Sequence, residues 1–315
     1  MQVNDLIFKE LIKRGYSLEG KTRVWNIADS KLWYLTPDQA QAFLDLEQSK
    51  EYQKDVIQKE IDLINGNIGE ILKGVGKGTP INIIDIGCGD GKKAVLFIGN
   101  LRDKLRIRYC PIDISNYMIA KALTRIRQLK VNEVVKFQWN VSDFENLENV
   151  TPLLRNSDFK RNLLLLLGNT LGNFEINELL YTLHASMIDD DFLLIGNGLD
   201  NRQPDDIVNS YNTKEVNNFL VKIITQIGLE EKDVEFGVRF RNSRIECYYT
   251  LLTDKKITFQ DKTVYFNKWD QIIVALSYKY SKENFKKFLG FYFDDVKLHT
   301  SQDGSYALAL CRKSK

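Results

Sequence analysis

The stretch Ile81-Asn82-Ile83-Ile84-Asp85-Ile86-Gly87-Cys88-Gly89-Asp90-Gly91-Lys92-Lys93 decides how this chain is read. Its first half is a nearly continuous apolar run, which suits a strand of a parallel sheet covered on both faces. Its second half carries glycine at alternate positions. Gly87 permits a tight turn out of the strand, and Gly89 has no side chain to hold off a ligand. Gly91 lets the next helix lie close to the sheet. The dinucleotide fingerprint G-x-G-x-x-G would need glycine at position 92, where Lys92 stands, so an NAD-dependent oxidoreductase is disfavoured.

Working outward from this turn, strand and helix patterns alternate. A helix is expected over Lys92–Leu101, a strand in RIRYCPIDIS, a helix over 116–129 and a third strand in VVKFQWNVSD. A fourth strand over 161–167, a helix over 176–184 and a fifth strand in DFLLIGNGL follow. This alternation predicts an α/β fold with a doubly wound, Rossmann-like sheet. Two acidic residues stand where the second and third strands end. Asp113 lies 26 residues after Gly87, where a carboxylate can accept from both hydroxyls of a ribose. Asp143 can meet an adenine amino group while Phe144 stacks on the ring. The G-x-G-x-G spacing is one used by many methyltransferases. With Asp113, Asp143 and Phe144 in order, it points to S-adenosylmethionine as cofactor.

The flanking regions differ. Residues 1–75 read as mainly helical, with apolar helical spacing over 38–46 and 50–71. The linker GVGKGTP is not a phosphate loop, because Gly78 rather than Ser or Thr follows Lys77 and a strand follows the segment instead of preceding it. Beyond Leu199 the alternation stops. A helix is expected over 216–227, short alternating strands over 233–266 and a helix over 282–289. FDDVKLHTSQDGSYALALCRK reads as two strands about an Asp303-Gly304 turn that return to the first sheet. The expected domains are 61–199 with 281–315, a methyltransferase domain binding S-adenosylmethionine, and 1–60 with 200–280, a smaller α+β substrate domain over the carboxyl edge of the sheet.

Composition narrows the function classes. The net charge is +2, hydrophobic residues make up 43% and charged residues 27%. Basic residues are interspersed with acidic ones, which gives no support to a nucleic-acid partner. The start MQVNDLIFKELIKRG lacks the apolar core of a signal peptide, and the longest apolar run is far too short for a membrane span. A cytoplasmic location is expected. Cys88, Cys110, Cys247 and Cys311 form no CxxC pair, and the chain has only two histidines. Reduced, mostly buried thiols and no metal site are expected.

The fourth strand runs into Gly168-Asn169-Thr170-Leu171-Gly172-Asn173-Phe174. At a strand's carboxyl end this loop should face the cofactor. GNTLGNF resembles the G-S/T-T-I-G-N loop of the histidine-specific α-N-methyltransferases of ergothioneine biosynthesis, a family whose fungal relatives methylate a prenylated tryptophan. IDIGCGDGKK, YCPIDIS, SDFE, LLIGNGLD, RIEC and VALSYKY agree in order, so the resemblance covers most of the chain. It implies that Gly87, Lys93, Asp113, Asp143, Phe144, Gly168 and Thr170 contact the cofactor. It implies that Asn173 and Tyr211 hold the amino-acid head group of the substrate. Tyr34, Phe43 and Tyr52 correspond to the family's aromatic pocket, although its Tyr-Tyr-Pro-Thr-Arg stretch appears here only as Glu51-Tyr52-Gln53-Lys54-Asp55.

One departure bears on the substrate. Histidine-specific members carry E-V-S-x-K-F, whose Glu holds the imidazole. Here the stretch is Ala275-Leu276-Ser277-Tyr278-Lys279-Tyr280, and a nearby methionine of the family corresponds to Cys247. Ala275 accepts no hydrogen bond, and a site that loses such a partner loses discrimination. The expected activity is methyl transfer to the α-amino group of an amino acid or derivative with a histidine-like, aromatic or apolar side chain. Asn173, Tyr211 and Tyr34 are the candidate catalytic residues, Tyr34 as proton acceptor. The competing readings are a methyltransferase acting on RNA or protein, and a non-catalytic S-adenosylmethionine-binding protein.

Overall fold

The computed structural model describes residues 3–76, 79–129, 131, 133–136 and 140–313. Lys77 and Gly78 of the glycine linker, and Phe137 to Trp139 of the expected third strand, lie outside the described residues. The chain divides into two compact units, 1–49 with 202–278 and 50–201 with 279–315. The segment 50–60, expected with the smaller unit, thus belongs with the larger one.

The chain opens with α1 (Asp5–Arg14), capped by the Asn4 side chain. Then comes a hairpin of β1 (Tyr16–Glu19) and β2 (Thr22–Asn26). The first 75 residues are mainly helical, as expected, and this hairpin is an unexpected strand pair within them. β1 is exposed along most of its length, so it shows no apolar alternation, and it is held by pairing with β2. α2 (Pro37–Glu47) starts at a capping box in which Thr36 and Gln39 satisfy each other's backbone N–H.

The larger unit begins with α3 (Lys50–Tyr52), which passes through a π turn (Gln53–Ile57) into α4 (Gln58–Val75). The helix expected over 50–71 is therefore interrupted by one wide turn and runs four residues further. Next come β3 (Ile81–Ile86), α5 (Lys92–Leu101), β4 (Ile107–Ile112), α6 (Asn116–Arg127) and β5 (Glu133–Val134). They are followed by α7 (Leu147–Leu154), β6 (Arg161–Leu166), α8 (Ile176–Ala185) and β7 (Phe192–Gly198). Every residue of β3 and β4 is buried. Leu63, Ile64, Ile71 and Leu72 of α4 join Phe97 and Ile98 of α5 in the core beside them. Each such side chain contributes roughly 1.5–3 kcal/mol on burial.

The smaller unit resumes with α9 (Pro204–Tyr211), α10 (Lys214–Ile227), β8 (Val234–Arg241) and β9 (Arg244–Leu251). The hairpin of β10 (Lys255–Phe259) and β11 (Lys262–Phe266) stands apart as a two-stranded sheet. β12 (Gln271–Tyr278) then completes a five-stranded sheet in the order β1-β2-β12-β9-β8. The chain ends in the larger unit with α11 (Lys282–Gly290), β13 (Asp295–Thr300) and β14 (Tyr306–Arg312).

The seven-stranded sheet has the order β13-β14-β7-β6-β3-β4-β5. β5, β4, β3, β6 and β7 are mutually parallel, and β14 enters antiparallel beside β7. The expected return of the last two strands to the first sheet is thus what occurs. The strand order reverses between β3 and β6, which is where ligands bind in open α/β sheets. The fold is α/β with a Rossmann-like sheet and a smaller α+β unit. All four cysteines are buried. Among the described residues, no helix is long and apolar enough to cross a membrane.

Candidate active site

The turn after β3 is built on three left-handed glycines. Gly87, Gly89 and Gly91 have φ of 65°, 50° and 76°, values that side-chain-bearing residues adopt only at a cost. The Gly87 N–H donates to the Ile112 carbonyl at 2.8 Å, tying the turn to the end of β4. A Cβ on Gly89 would meet no atom within 4 Å, so the backbone there borders open space. A Cβ on Gly91 would lie 2.9 Å from the Cα of Ala122, which shows how closely α5 and α6 pack.

Asp113 is held at the tip of β4. Its Oδ2 accepts the Gly89 N–H at 3.0 Å and its Oδ1 the Ser115 N–H at 2.9 Å. Burial pushes its carboxyl up from 3.8 to about 6, against the pull of these N–H donors. Each oxygen keeps a lone pair beyond those bonds. Asp113 also forms a parallel bridge with Val141, and Ser142 N–H donates to its carbonyl at 3.0 Å. Asp143 and Phe144 are thereby brought to the same end of the sheet, both half-buried. Asp85 is buried beneath the turn and accepts the Tyr109 hydroxyl at 2.7 Å. Burial raises its carboxyl to about 7, while Tyr109 and Lys93 act to lower it.

The loop after β6 closes this end of the sheet. Asn169 is left-handed (φ 64°), and its Oδ1 accepts the Gly198 N–H from β7 at 2.9 Å. Thr170 begins a 3-10 turn (Thr170–Asn173) that leaves Asn173 half-buried. A Cβ on Gly87 would lie 3.4 Å from Thr170 Cγ2 and 3.6 Å from Phe144 Cζ. Phe144 packs on Phe174 with ring centroids 5.2 Å apart. A Cβ on Gly168 would lie 2.1 Å from the Lys93 ammonium. The structure therefore gathers Gly87, Gly89 and Lys93 after β3, Asp113 after β4, Phe144 after the bridge at Val141, and Gly168 and Thr170 after β6. An open glycine backbone, an oriented carboxylate, an aromatic ring and a cation together form a cradle that fits an adenosylated amino acid.

The smaller unit brings together other predicted residues. The Tyr211 hydroxyl, at the end of α9, lies 2.9 Å from the Ser277 hydroxyl on β12. Ala275 of β12 pairs directly with Cys247 of β9, and both are buried. Tyr34 packs edge-on against Phe43 at 5.3 Å, and both rings contact Phe219 of α10, which the sequence reading did not single out. Tyr52 lies in the larger unit, half-buried at the end of α3.

Two further residues escaped sequence reading. Glu60 of α4 is wholly buried, and its oxygens accept the Gly168 N–H at 2.9 and 3.1 Å. Tyr306 of β14 donates its hydroxyl to Glu60 Oε1 at 2.8 Å. Their one signal in the sequence is Gly196, inside a buried strand. Glycine there marks the close approach of another group, and a Cβ at 196 would lie 1.8 Å from Glu60 Oε1.

No curated protein matches the chain. Among solved structures it is similar to an S-adenosylmethionine-dependent methyltransferase from Clostridium acetobutylicum, at 10% identity over 80% of this chain and 91% of that one, TM-score 0.41. It is also similar to the PH0226 protein from Pyrococcus horikoshii, at 11% identity over 85% and 94%, TM-score 0.44. For DesVI from Streptomyces venezuelae the figures are 10% identity, 90% and 100%, TM-score 0.36. Residues 35–313 match the family described as histidine-specific, SAM-dependent methyltransferases. That match spans most of the chain, which therefore belongs to this family and is an S-adenosylmethionine-dependent methyltransferase.

Proposed function

We propose that the protein methylates the α-amino group of a free amino acid or amino-acid derivative whose side chain is aromatic or apolar rather than a histidine imidazole. The observation that carries this reading is the pairing of Ala275 with Cys247 on neighbouring strands, two residues along β12 from Ser277, whose hydroxyl meets that of Tyr211. Residues two apart on a strand share a face, so Ala275 and Ser277 point the same way. Where histidine-specific members offer a carboxylate, this face offers a methyl group and a buried thiol. Glu246, next to Cys247, is turned to the opposite face, where it pairs with Arg239 and Arg244 at 2.7 Å each.

When bound, S-adenosylmethionine supplies a methyl group already activated on its sulfonium. The chain's own residues bind and orient. Asp113 accepts ribose hydroxyls, Asp143 and Phe144 take the adenine, and Lys93 provides fixed positive charge beside Gly168. Gly87, Gly89 and Gly91 keep the turn open to close approach. Asn173 and Tyr211 hold the head group of the substrate, since both can donate and accept hydrogen bonds. The amine must be neutral to react, and positive charge nearby lowers its pKa. Tyr34 relays the proton that the amine loses to water, its hydroxyl oxygen accepting it while giving up its own. Phe43 and Tyr52 supply apolar surface that excludes water. Holding the amine in line with the transferable methyl group supplies the main part of catalysis.

A radiolabelled methyl-transfer screen against the twenty free amino acids and their common derivatives tests this. Mass spectrometry of the product should place the label on the α-nitrogen of an aromatic or apolar amino acid, with histidine a poorer substrate by kcat/KM. A preference for histidine would refute the side-chain assignment. Transfer only to RNA or protein would refute the substrate class.

A further inference from the structure

Glu60 sits behind the loop that carries Gly168, Thr170 and Asn173, and the chemistry proposed above makes no use of it. A carboxyl group with no exposed surface is costly to bury unless its partners are well arranged. An apolar side chain would fill the space facing Gly196 without that cost. What only a carboxylate does here is receive the Gly168 N–H on both of its oxygens while Oε1 also receives the Tyr306 hydroxyl. Tyr306 is itself fully buried. The Leu167–Gly168 peptide is thus pinned by one buried pair.

The consequence follows from peptide geometry. In a trans peptide the N–H and the C=O of one plane point in opposite directions. With its N–H on Glu60, the Leu167–Gly168 peptide turns the Leu167 carbonyl away, and that carbonyl accepts the Thr170 hydroxyl at 2.8 Å. The orientation of the loop is set from behind.

We propose that Glu60 and Tyr306 are positioning residues for methyl transfer, fixing the Leu167–Gly168 peptide plane so that the loop through Asn173 meets its ligands in one orientation. This rests on the reading that the loop contacts the cofactor. Titration calorimetry of the full-length protein with S-adenosylhomocysteine tests both, with circular dichroism as the control for folding. In Glu60→Gln an N–H2 group replaces one of the two oxygens that receive the Gly168 N–H, and affinity should fall at least tenfold with the fold retained. Tyr306→Phe should weaken binding about fivefold, and the double variant should be no weaker than Glu60→Gln alone. Thr170→Val probes the loop directly and should also bind less tightly. If Thr170→Val weakens binding while Glu60→Gln and Tyr306→Phe stay within twofold of the parent, the positioning role is wrong. If all three stay within twofold, the reading of the loop fails and the positioning role with it. Should Glu60→Gln fail to fold, Tyr306→Phe decides by the same criteria.

Discussion

Asp113 combines two pH effects of opposite sign. Its carboxyl is raised to about 6 by burial, above the 3.8 of an exposed aspartate. The folded protein therefore holds this proton more tightly than the unfolded chain. Ionising Asp113 costs the fold stability above about pH 6, and that cost fades as the pH falls from 6 towards 3.8. Cofactor binding runs the other way, because a protonated carboxyl loses acceptor capacity for the ribose hydroxyls. Affinity for S-adenosylhomocysteine, measured by calorimetry, should fall as the pH drops through about 6. Asp113→Asn should bind more weakly at pH 8 and lose this dependence; a variant that keeps the same pH profile would rule out Asp113 as its source. Asn173 offers a complementary test on the loop after β6. Asn173→Ala should raise KM for the amino acid at least tenfold while cofactor affinity stays within about twofold, consistent with loss of hydrogen bonds to one ligand only. An unchanged KM would remove Asn173 from the head-group site.

At the scale of elements, the close packing of α5 on α6 depends on Gly91. Alanine there would carry φ 76° and place its Cβ 2.9 Å from the Ala122 backbone. The left-handed strain and the overpacking together should cost about 2–4 kcal/mol, read as a lower urea midpoint with an unchanged slope. A midpoint equal to the parent's would show that α6 moves aside freely. The same β3–turn–α5 unit was fully legible from its residues, because a buried apolar run and alternating glycines are local signals. β1 and β2 were not. β1 is an exposed edge strand, and β2 finds its parallel partner in β12, nearly 250 residues away. Strand propensity is a weak guide where pairing decides the outcome. The π turn between α3 and α4 was likewise invisible, since helical spacing on both sides reads as one continuous helix.

For the molecule as a whole, ligand binding should appear as stability. A ligand that binds only the folded state at 100 times its Kd contributes about 2.7 kcal/mol. S-adenosylhomocysteine at that ratio should raise the melting temperature by several degrees, as about 2–4 °C per kcal/mol is typical of larger domains. At the same ligand concentration, Asp113→Ala should lose most of the shift. A shift that persists in full would move the binding site away from the β4 tip. Because the chain forms two compact units, a scan that resolves two transitions should show the shift in the one that contains the seven-stranded sheet.

The sequence by itself determined the Rossmann-like sheet, the family and the cofactor. Those signals are written in contiguous residues, where strand, turn and helix meet within a few positions. Tertiary structure alone decided what long-range contacts decide. It set Cys247 opposite Ala275 and joined Tyr211 to Ser277. It also buried Glu60, which in sequence looks like any charge on an amphipathic helix, against a loop 108 residues away. A hydrogen bond between distant segments leaves no periodicity in either one, and only the unexplained glycine at 196 recorded that something had to fit there.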